Sequence, residues 1–223
     1  HFSFRGGWHG CVMKYIAKQA SAILPVSKTL EKAMCTCGIT NGHWNIINNV
    51  VDDFFYAPYS KLVRTKKRLL HVSCFDDKAK NVKGLLRAIR KVAEDRQDFE
   101  LVLIGTGIDY EDIKLYARDL HFPNSMITFT GELPPDKVCW WMQQSDAFVL
   151  FSRYETFSVV LAECIAVGLP IVTSRVNGIA ESLGADFGIV VDVEDELALS
   201  MAVNDMLDHY QEYNTALIRE QGK

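Results

Sequence analysis

Two acids and the short segment around them carry the most chemistry in this sequence. Glu155 and Glu163 lie eight residues apart in the stretch SRYETFSVVLAECIAVGLPIVT, residues 152–173. Glu155 sits in a loop after an apolar run, and the helix expected from Thr156–Ser158 to Val167 begins just past it. The opening N–H groups of such a helix, at Thr156, Phe157 and Ser158, have no intrahelical acceptor, and the macrodipole favours an anion there. A carboxylate can accept two hydroxyl hydrogen bonds from a sugar or a ribose, each contributing ~1.5–3 kcal/mol. The combination suits an anionic ligand rich in hydroxyls. A blander reading also accounts for the spacing, with Glu155 as a helix N-terminal acid and Glu163 as an exposed helical residue. However, Glu163 stands among Leu161, Ala162, Cys164 and Ile165, and an acid in so apolar a stretch needs a compensating contact.

The elements around the two acids predict a platform for such a ligand. Short β-rich runs occur at residues 69–74, 100–104, 125–130, 147–151, 170–173 and 188–191. Their nearly continuous apolar character suits strands covered on both faces. Helix-like stretches lie between them at residues 82–95, 110–120, 136–145, 158–167 and 194–207, the first with Leu85, Leu86, Ile89 and Val92 on one face. Gly168 is placed to end the helix that carries Glu163. Strand alternating with helix predicts a doubly wound, Rossmann-like α/β domain: a parallel sheet with helices on both faces and right-handed crossovers. Ligands bind such sheets at the carboxyl ends of the strands, where Glu155 is expected.

Residues 1–60 read differently from 61–223. The first segment predicts the end of a helix at 15–22, short strands at 22–26 and 44–47, and a helix through Met34 capped by Ser27. A polar, turn-rich linker is expected over 48–60. No apolar stretch nears the ~20 residues of a membrane-spanning helix. Nor do the first residues read as a secretory leader.

The composition is that of a globular chain, with 48% hydrophobic and 23% charged residues among 223. A formal charge of −4 lacks the basic excess of a nucleic-acid binder. The six cysteines form no C-x-x-C pair and are read as reduced thiols, with Cys74 and Cys164 expected in the core. Cys35-x-Cys37 with His43 is at most half a zinc site. Gly105-x-Gly107 does not extend to a dinucleotide fingerprint, because the third glycine would fall at Tyr110. Asp52-Asp53 and Asp76-Asp77 read as solvated turn residues, and Trp140-Trp141 as core and surface aromatics.

The pattern Glu155-x7-Glu163, followed by Ala166, Gly168, Pro170, Ile171 and Val172, resembles the signature of glycosyltransferase family 4, the group 1 glycosyltransferases. Further segments share the resemblance: Leu70–Phe75 with Lys80, LIGTG at 103–107, ITFTG at 127–131, SDAFVLFS at 145–152, ASAILPVS at 20–27 and NNVVDDFF at 48–55. It covers almost the whole chain. It implies a GT-B architecture of two Rossmann-like domains, with residues 61–223 as the C-terminal nucleotide-sugar-binding domain and 1–60 as a remnant of the N-terminal acceptor-binding domain with its linker.

By that resemblance Glu155, with Thr156, Phe157 and Ser158, would contact the donor sugar, and Glu163 would bind the ribose. Lys80 and the amides of Thr156, Phe157 and Ser158 would hold the diphosphate. Gly131, Glu132 and Leu133 would lie against the nucleobase. His1 resembles a histidine of the family's first domain, near the cleft. No metal and no cofactor beyond the nucleotide-diphosphate sugar are implied, and no catalytic residue is assigned. The family carries an arginine six residues before its phosphate lysine, and that position is Cys74 here. Lys78, Lys83 or Arg153 would stand in for it, or Lys80 and the amides would carry the charge alone.

The implied activity is transfer of a sugar, with retention, from a nucleotide-diphosphate donor to a glycan or lipid-linked acceptor. The implied setting is bacterial and cytoplasmic, at the inner face of the cell membrane, with peripheral membrane contact through the rest of the acceptor domain. This segment by itself is expected to bind donor only. Two alternatives remain open at this point: a nucleotide-sugar epimerase of the same architecture, and a non-catalytic α/β binding module.

Overall fold

The structure is a computed structural model that describes residues 8–123, 125–176 and 183–221. The chain divides into two compact units, residues 1–50 and 51–223. In the first, helix α1 (Trp8–Gln19) precedes helix α2 (Lys28–Thr36). Ser27 caps α2 as its sequence position predicts, its hydroxyl accepting the Leu30 N–H at 3.1 Å. The two expected short strands reduce to one parallel bridge, Ile23 to Trp44. The Asn41 side-chain amide donates to the carbonyls of Ala17 and Ala20 and so ties down the end of α1.

The second unit opens with a 3₁₀ turn at Asp53–Tyr56. The strands are β1 (Lys67–Val72), β2 (Phe99–Ile104), β3 (Ile127–Gly131), β4 (Ala147–Leu150), β5 (Ile171–Ser174) and β6 (Gly188–Val191). The helices are α3 (Asp77–Lys80), α4 (Val82–Asp95), α5 (Tyr110–Asp119), α6 (Pro135–Gln143), α7 (Val159–Val167), α8 (Glu196–His209) and α9 (Thr215–Gln221). The strands form one six-stranded sheet in the order β3-β2-β1-β4-β5-β6, and every neighbouring pair is parallel.

The twofold period of a strand sorts the core into two layers. Leu69, Leu101, Leu103, Val149 and Val172 pack with α4, α5 and α8 on one face of the sheet. Leu70, Val102, Ile104, Phe148, Leu150 and Ile171 pack with α6, α7 and α9 on the other. Both faces are covered, and this is why the strands read as unbroken apolar runs rather than alternating ones.

Strand β1 ends at Val72 rather than at residue 74. Cys74 is therefore exposed, against the expectation that it lies in the core, whereas Cys164 is buried as expected. The Gly105 and Gly107 positions serve packing. A Cβ at Gly105 would lie 1.9 Å from the Ser73 carbonyl oxygen, and one at Gly107 would lie 2.7 Å from the Phe75 nitrogen. The loop after β2 thus rests directly on the backbone leaving β1. Asp76 and Asp77 are structural as well. Asp76 caps α3, and the Asp77 carboxylate accepts the Lys83 N–H at 2.8 Å.

Candidate functional site

In this strand order the chain runs outward from β1 to β3, then restarts beside β1 at β4 and runs to β6. The reversal lies between β1 and β4, the crevice where doubly wound sheets place their ligands. The segment after β1 carries Lys80, and the segment after β4 carries Glu155. Across this crevice the Lys80 ammonium meets Glu155 Oε1 at 2.7 Å. Residues 75 positions apart are therefore joined where the topology predicts a site. Glu155 is buried, and its Oε1 also accepts the Ser152 hydroxyl at 2.7 Å. Its Oε2 has no partner among the described residues.

Arg153 fastens the two segments together. Its N–H donates to the Ala79 carbonyl at 2.8 Å, and its guanidinium reaches the Asp77 carbonyl, Asn81 Oδ1 and Glu194. Lys83 pairs with Asp112 at 2.5 Å. Of the three cations considered in place of the arginine at position 74, Arg153 and Lys83 are thus engaged in holding the fold. Lys78 is exposed and makes no ion pair among the described residues.

Helix α7 begins at Val159, with Ser158 as its N-cap. Ser158 is in the left-handed region at φ 66°, and its side chain makes no capping bond. Its buried hydroxyl has no hydrogen-bond partner among the described residues. The amides of Phe157 and Ser158 are likewise without an acceptor among the described residues. Thr156 is exposed in the loop, beside half-buried Phe157. A strained backbone next to an orphaned buried hydroxyl and free N–H groups has the character of a ligand clamp.

Glu163 lies in the second turn of α7 and is half-buried, with no hydrogen bond or cation among the described residues. Burial, and next the charge of Asp52, push its carboxyl up to about 7. The neighbouring thiols feel the same acid. Burial and then the Glu163 charge raise Cys139 to about 11, and Cys164 is raised by the same causes. An acid held in this way lacks the hydroxyl donors that would stabilise its ionised form.

Gly131 ends β3 at φ 75°, and its carbonyl accepts the Gly105 N–H at 2.8 Å. Glu132 is exposed, and Leu133 packs against the α6–α7 layer. No hydrogen bond or ion pair among the described residues joins Gly131–Leu133 or Glu163 to the Lys80–Glu155 pair. His1 lies outside the described residues. The half zinc site is not completed: among the described residues no cluster of His, Cys, Asp or Glu could hold a metal ion.

Several residues that build the site were not singled out by motif. Fully buried His71, on β1, donates from Nδ1 to the Val149 carbonyl at 2.9 Å, and its Nε2 accepts from the Ser73 hydroxyl at 2.7 Å. Burial lowers it to about 4, so the ring is neutral near pH 7. Ser152 follows β4 by two residues and Ser174 ends β5, and a polar residue after an apolar run was the signal available for them. Open hollows of about 480 and 520 Å³ lie elsewhere, one along α8–α9 at Asp205 and Tyr213, the other between α5 and β3 at Arg118 and Phe129. They gather none of the chemistry described above.

Fold and crevice define a Rossmann-like domain of the kind found in GT-B enzymes. The profile of the family described as "Glycosyl transferases group 1" matches residues 57–221, and the chain belongs to that family. It is 27% identical over 193 residues to N-acetyl-alpha-D-glucosaminyl L-malate synthase of Bacillus anthracis, covering 82% of this chain and 49% of the relative. It is 27% identical over 195 residues to N-acetylgalactosamine-N,N'-diacetylbacillosaminyl-diphospho-undecaprenol 4-alpha-N-acetylgalactosaminyltransferase of Campylobacter jejuni, covering 85% and 52%. Among solved structures, sucrose-phosphate synthase from Thermosynechococcus elongatus superimposes with a TM-score of 0.80 at 21% identity, over 100% of this chain and 57% of that one. The chain therefore spans about half the length of the curated relatives it matches.

Proposed function

We propose that this chain forms the donor-binding part of a glycosyltransferase that moves a sugar, with retention, from a nucleotide-diphosphate donor to a glycan or lipid-linked acceptor. Residues 61–223 supply the donor site, and residues 1–60 are a remnant of the acceptor-binding half with its linker; residues 51–60 pack in the same compact unit as the donor site. The observation that carries the reading is the meeting of Lys80 and Glu155 across the β1/β4 crevice, beside the Phe157 and Ser158 N–H groups and the Ser158 hydroxyl, which have no partner among the described residues. The family membership supports it. So does the name of the Campylobacter relative, which describes transfer to a diphospho-undecaprenol-linked sugar. The corresponding setting is the cytoplasmic face of a membrane. No described helix is long and apolar enough to cross one.

In this reading the diphosphate lies against the start of α7, where Phe157, Ser158 and Lys80 face the charge that grows on it as the glycosidic bond breaks. Dipoles already in place at that point stabilise the transition state without reorganising. Glu155 Oε2 accepts a hydroxyl of the sugar, and Glu163 accepts those of the ribose. Gly131–Leu133 border the base. Lys80 and the helix N-terminus perform the charge stabilisation, so no metal is required, and donor affinity should be unaffected by EDTA. This half alone should bind donor without transferring the sugar.

Thermal unfolding with UDP, GDP, ADP and their sugar conjugates tests the proposal, with Glu163→Ala alongside. A ligand at ~100 times its Kd adds about 2.7 kcal/mol to stability. A selective shift for one base that is lost in the variant is the expected result. No shift with any nucleotide, in this chain and in a longer form bearing a complete acceptor domain, refutes it.

A further inference from the structure

We propose that Ser152 positions Glu155 for the donor sugar, and that Ser174 holds Ser152 in turn. The inference rests on the donor-site reading above and adds two residues to it. Two donors from different segments converge on one oxygen of the acid: Lys80 Nζ and Ser152 Oγ each lie 2.7 Å from Oε1. A carboxylate pinned at one oxygen by two donors cannot turn about its own axis without breaking both bonds. Oε2 is thereby kept as the acceptor for an incoming hydroxyl.

The pin itself is anchored. Ser152 is fully buried two residues past the end of β4, and its carbonyl accepts the Ser174 hydroxyl from the end of β5 at 2.6 Å. Ser174 is fully buried too. The chain of contacts runs from β5 through the segment after β4 to the acid and on to Lys80, after β1. A hydroxyl that only satisfied a buried acid would need no such support behind it.

Loss of the Ser152 hydroxyl leaves Lys80 as the only donor to the Glu155 carboxylate among the described residues. The ammonium can then be met by either oxygen, and the carboxylate is free to rotate. The ligand atoms that feel this are the sugar hydroxyls. The diphosphate and nucleoside are held by the α7 amides, Lys80 and Glu163 and should not respond.

The experiment is calorimetric titration of the full chain, as Ser152→Ala and as parent, with UDP, UDP-glucose, GDP and GDP-mannose. For the pair that binds, the expected result is an unchanged Kd for the bare nucleotide and a loss of about tenfold for the sugar conjugate. Equal losses for both, or no loss for either, overturn the proposal. Should the alanine variant fail to fold, Ser152→Cys keeps a similar volume with a much weaker donor and should show the same selective loss.

A crystal structure of the variant is read independently of any ligand. Glu155 turned to a second rotamer, or in two conformers, supports the proposal, whereas an unmoved Glu155 overturns it. If the parent binds none of the four probes, the donor-site reading is what fails, and this structural comparison still decides the role of Ser152.

Discussion

Glu163 offers a direct test, because burial makes its ionised form a cost to the fold. Its carboxyl is raised from an ordinary 4.5 to about 7 by burial and by Asp52. Between those values the folded chain keeps a proton that the unfolded chain has released. Stability must therefore fall as pH rises from 4.5 to 7, and stay low above. At ~1.36 kcal/mol for each pH unit between the two values, the penalty has a ceiling of about 3 kcal/mol. Residual contact with water brings the expectation to about 2–3 kcal/mol. Glu163→Gln removes the charge at nearly constant size. At pH 8 it should stabilise the chain by that amount, raising Tm by roughly 5–10 °C for a domain of this size.

The same substitution should expose an opposite effect from His71. That ring is lowered from 6.5 to about 4 by burial, so the unfolded chain binds a proton that the folded chain refuses. Its contribution is present above pH 6.5 and is lost as pH falls toward 4. In the parent the two effects offset each other between pH 4.5 and 6.5. In Glu163→Gln the loss from His71 stands uncompensated, and the stability curve falls more steeply on the acid side. Urea unfolding of both proteins from pH 4.5 to 8 measures the difference, in which all other titrating groups cancel. Parallel curves would show that Glu163 carries no uncompensated charge and would remove the main reason for assigning it a ligand. Nucleotide affinity of the variant should fall about 10–100-fold, the loss of a charged acceptor.

Ser158→Gly relieves both the left-handed backbone at φ 66° and the orphaned buried hydroxyl. Against the added freedom of the unfolded chain it should stabilise by about 1 kcal/mol in chemical denaturation. Gly105→Ala drives a Cβ to within 1.9 Å of the Ser73 carbonyl oxygen at φ 128° and should destabilise by about 3 kcal/mol or more, measured in the same way.

The sheet was legible because both of its faces are covered. Six apolar runs separated by amphipathic stretches leave little alternative to a doubly wound sheet, and α4 runs from Val82 to Asp95, the range its periodicity predicts. The ends of elements were harder to read. The apolar run at the start of the sheet continues through Cys74, but the chain leaves β1 at Val72 so that residues 73–75 can support the loop containing Gly105 and Gly107. Residues 22–26 and 44–47 have strand composition, yet among the described residues no third partner joins their single bridge to make a ladder. At the site, Glu163 was legible as an acid in apolar company and Glu155 as a loop acid just ahead of a helix. The Ser152 and Ser174 contacts were not, because a serine side chain reveals its partner only when β4 and β5 lie side by side. Nor could the sequence tell that Arg153 is consumed by Asp77, Asn81 and Glu194 rather than free for a phosphate.

Pairing of Lys80 with Glu155 has a further consequence for what the site prefers. A lysine already matched to a carboxylate presents little net charge, so in the proposed site a bare diphosphate would be drawn chiefly by the start of α7, while Glu155 would repel it. A sugar attached to the diphosphate would offset that repulsion by donating a hydroxyl to Oε2. The acid should therefore act as a discriminator, weakening free nucleotide and strengthening the conjugate. Glu155→Gln keeps the shape, removes the repulsion and frees the Lys80 ammonium. An interaction of about 1 kcal/mol, the scale of a partly screened charge pair, is roughly fivefold in affinity. The bare nucleoside diphosphate should bind tighter to Glu155→Gln by about that factor, and its sugar conjugate should bind no better than to the parent. Titration of both ligands into both proteins measures the crossing. If the variant loses affinity for the bare diphosphate, Glu155 serves to hold Lys80 in place rather than to tell a donor from its spent product.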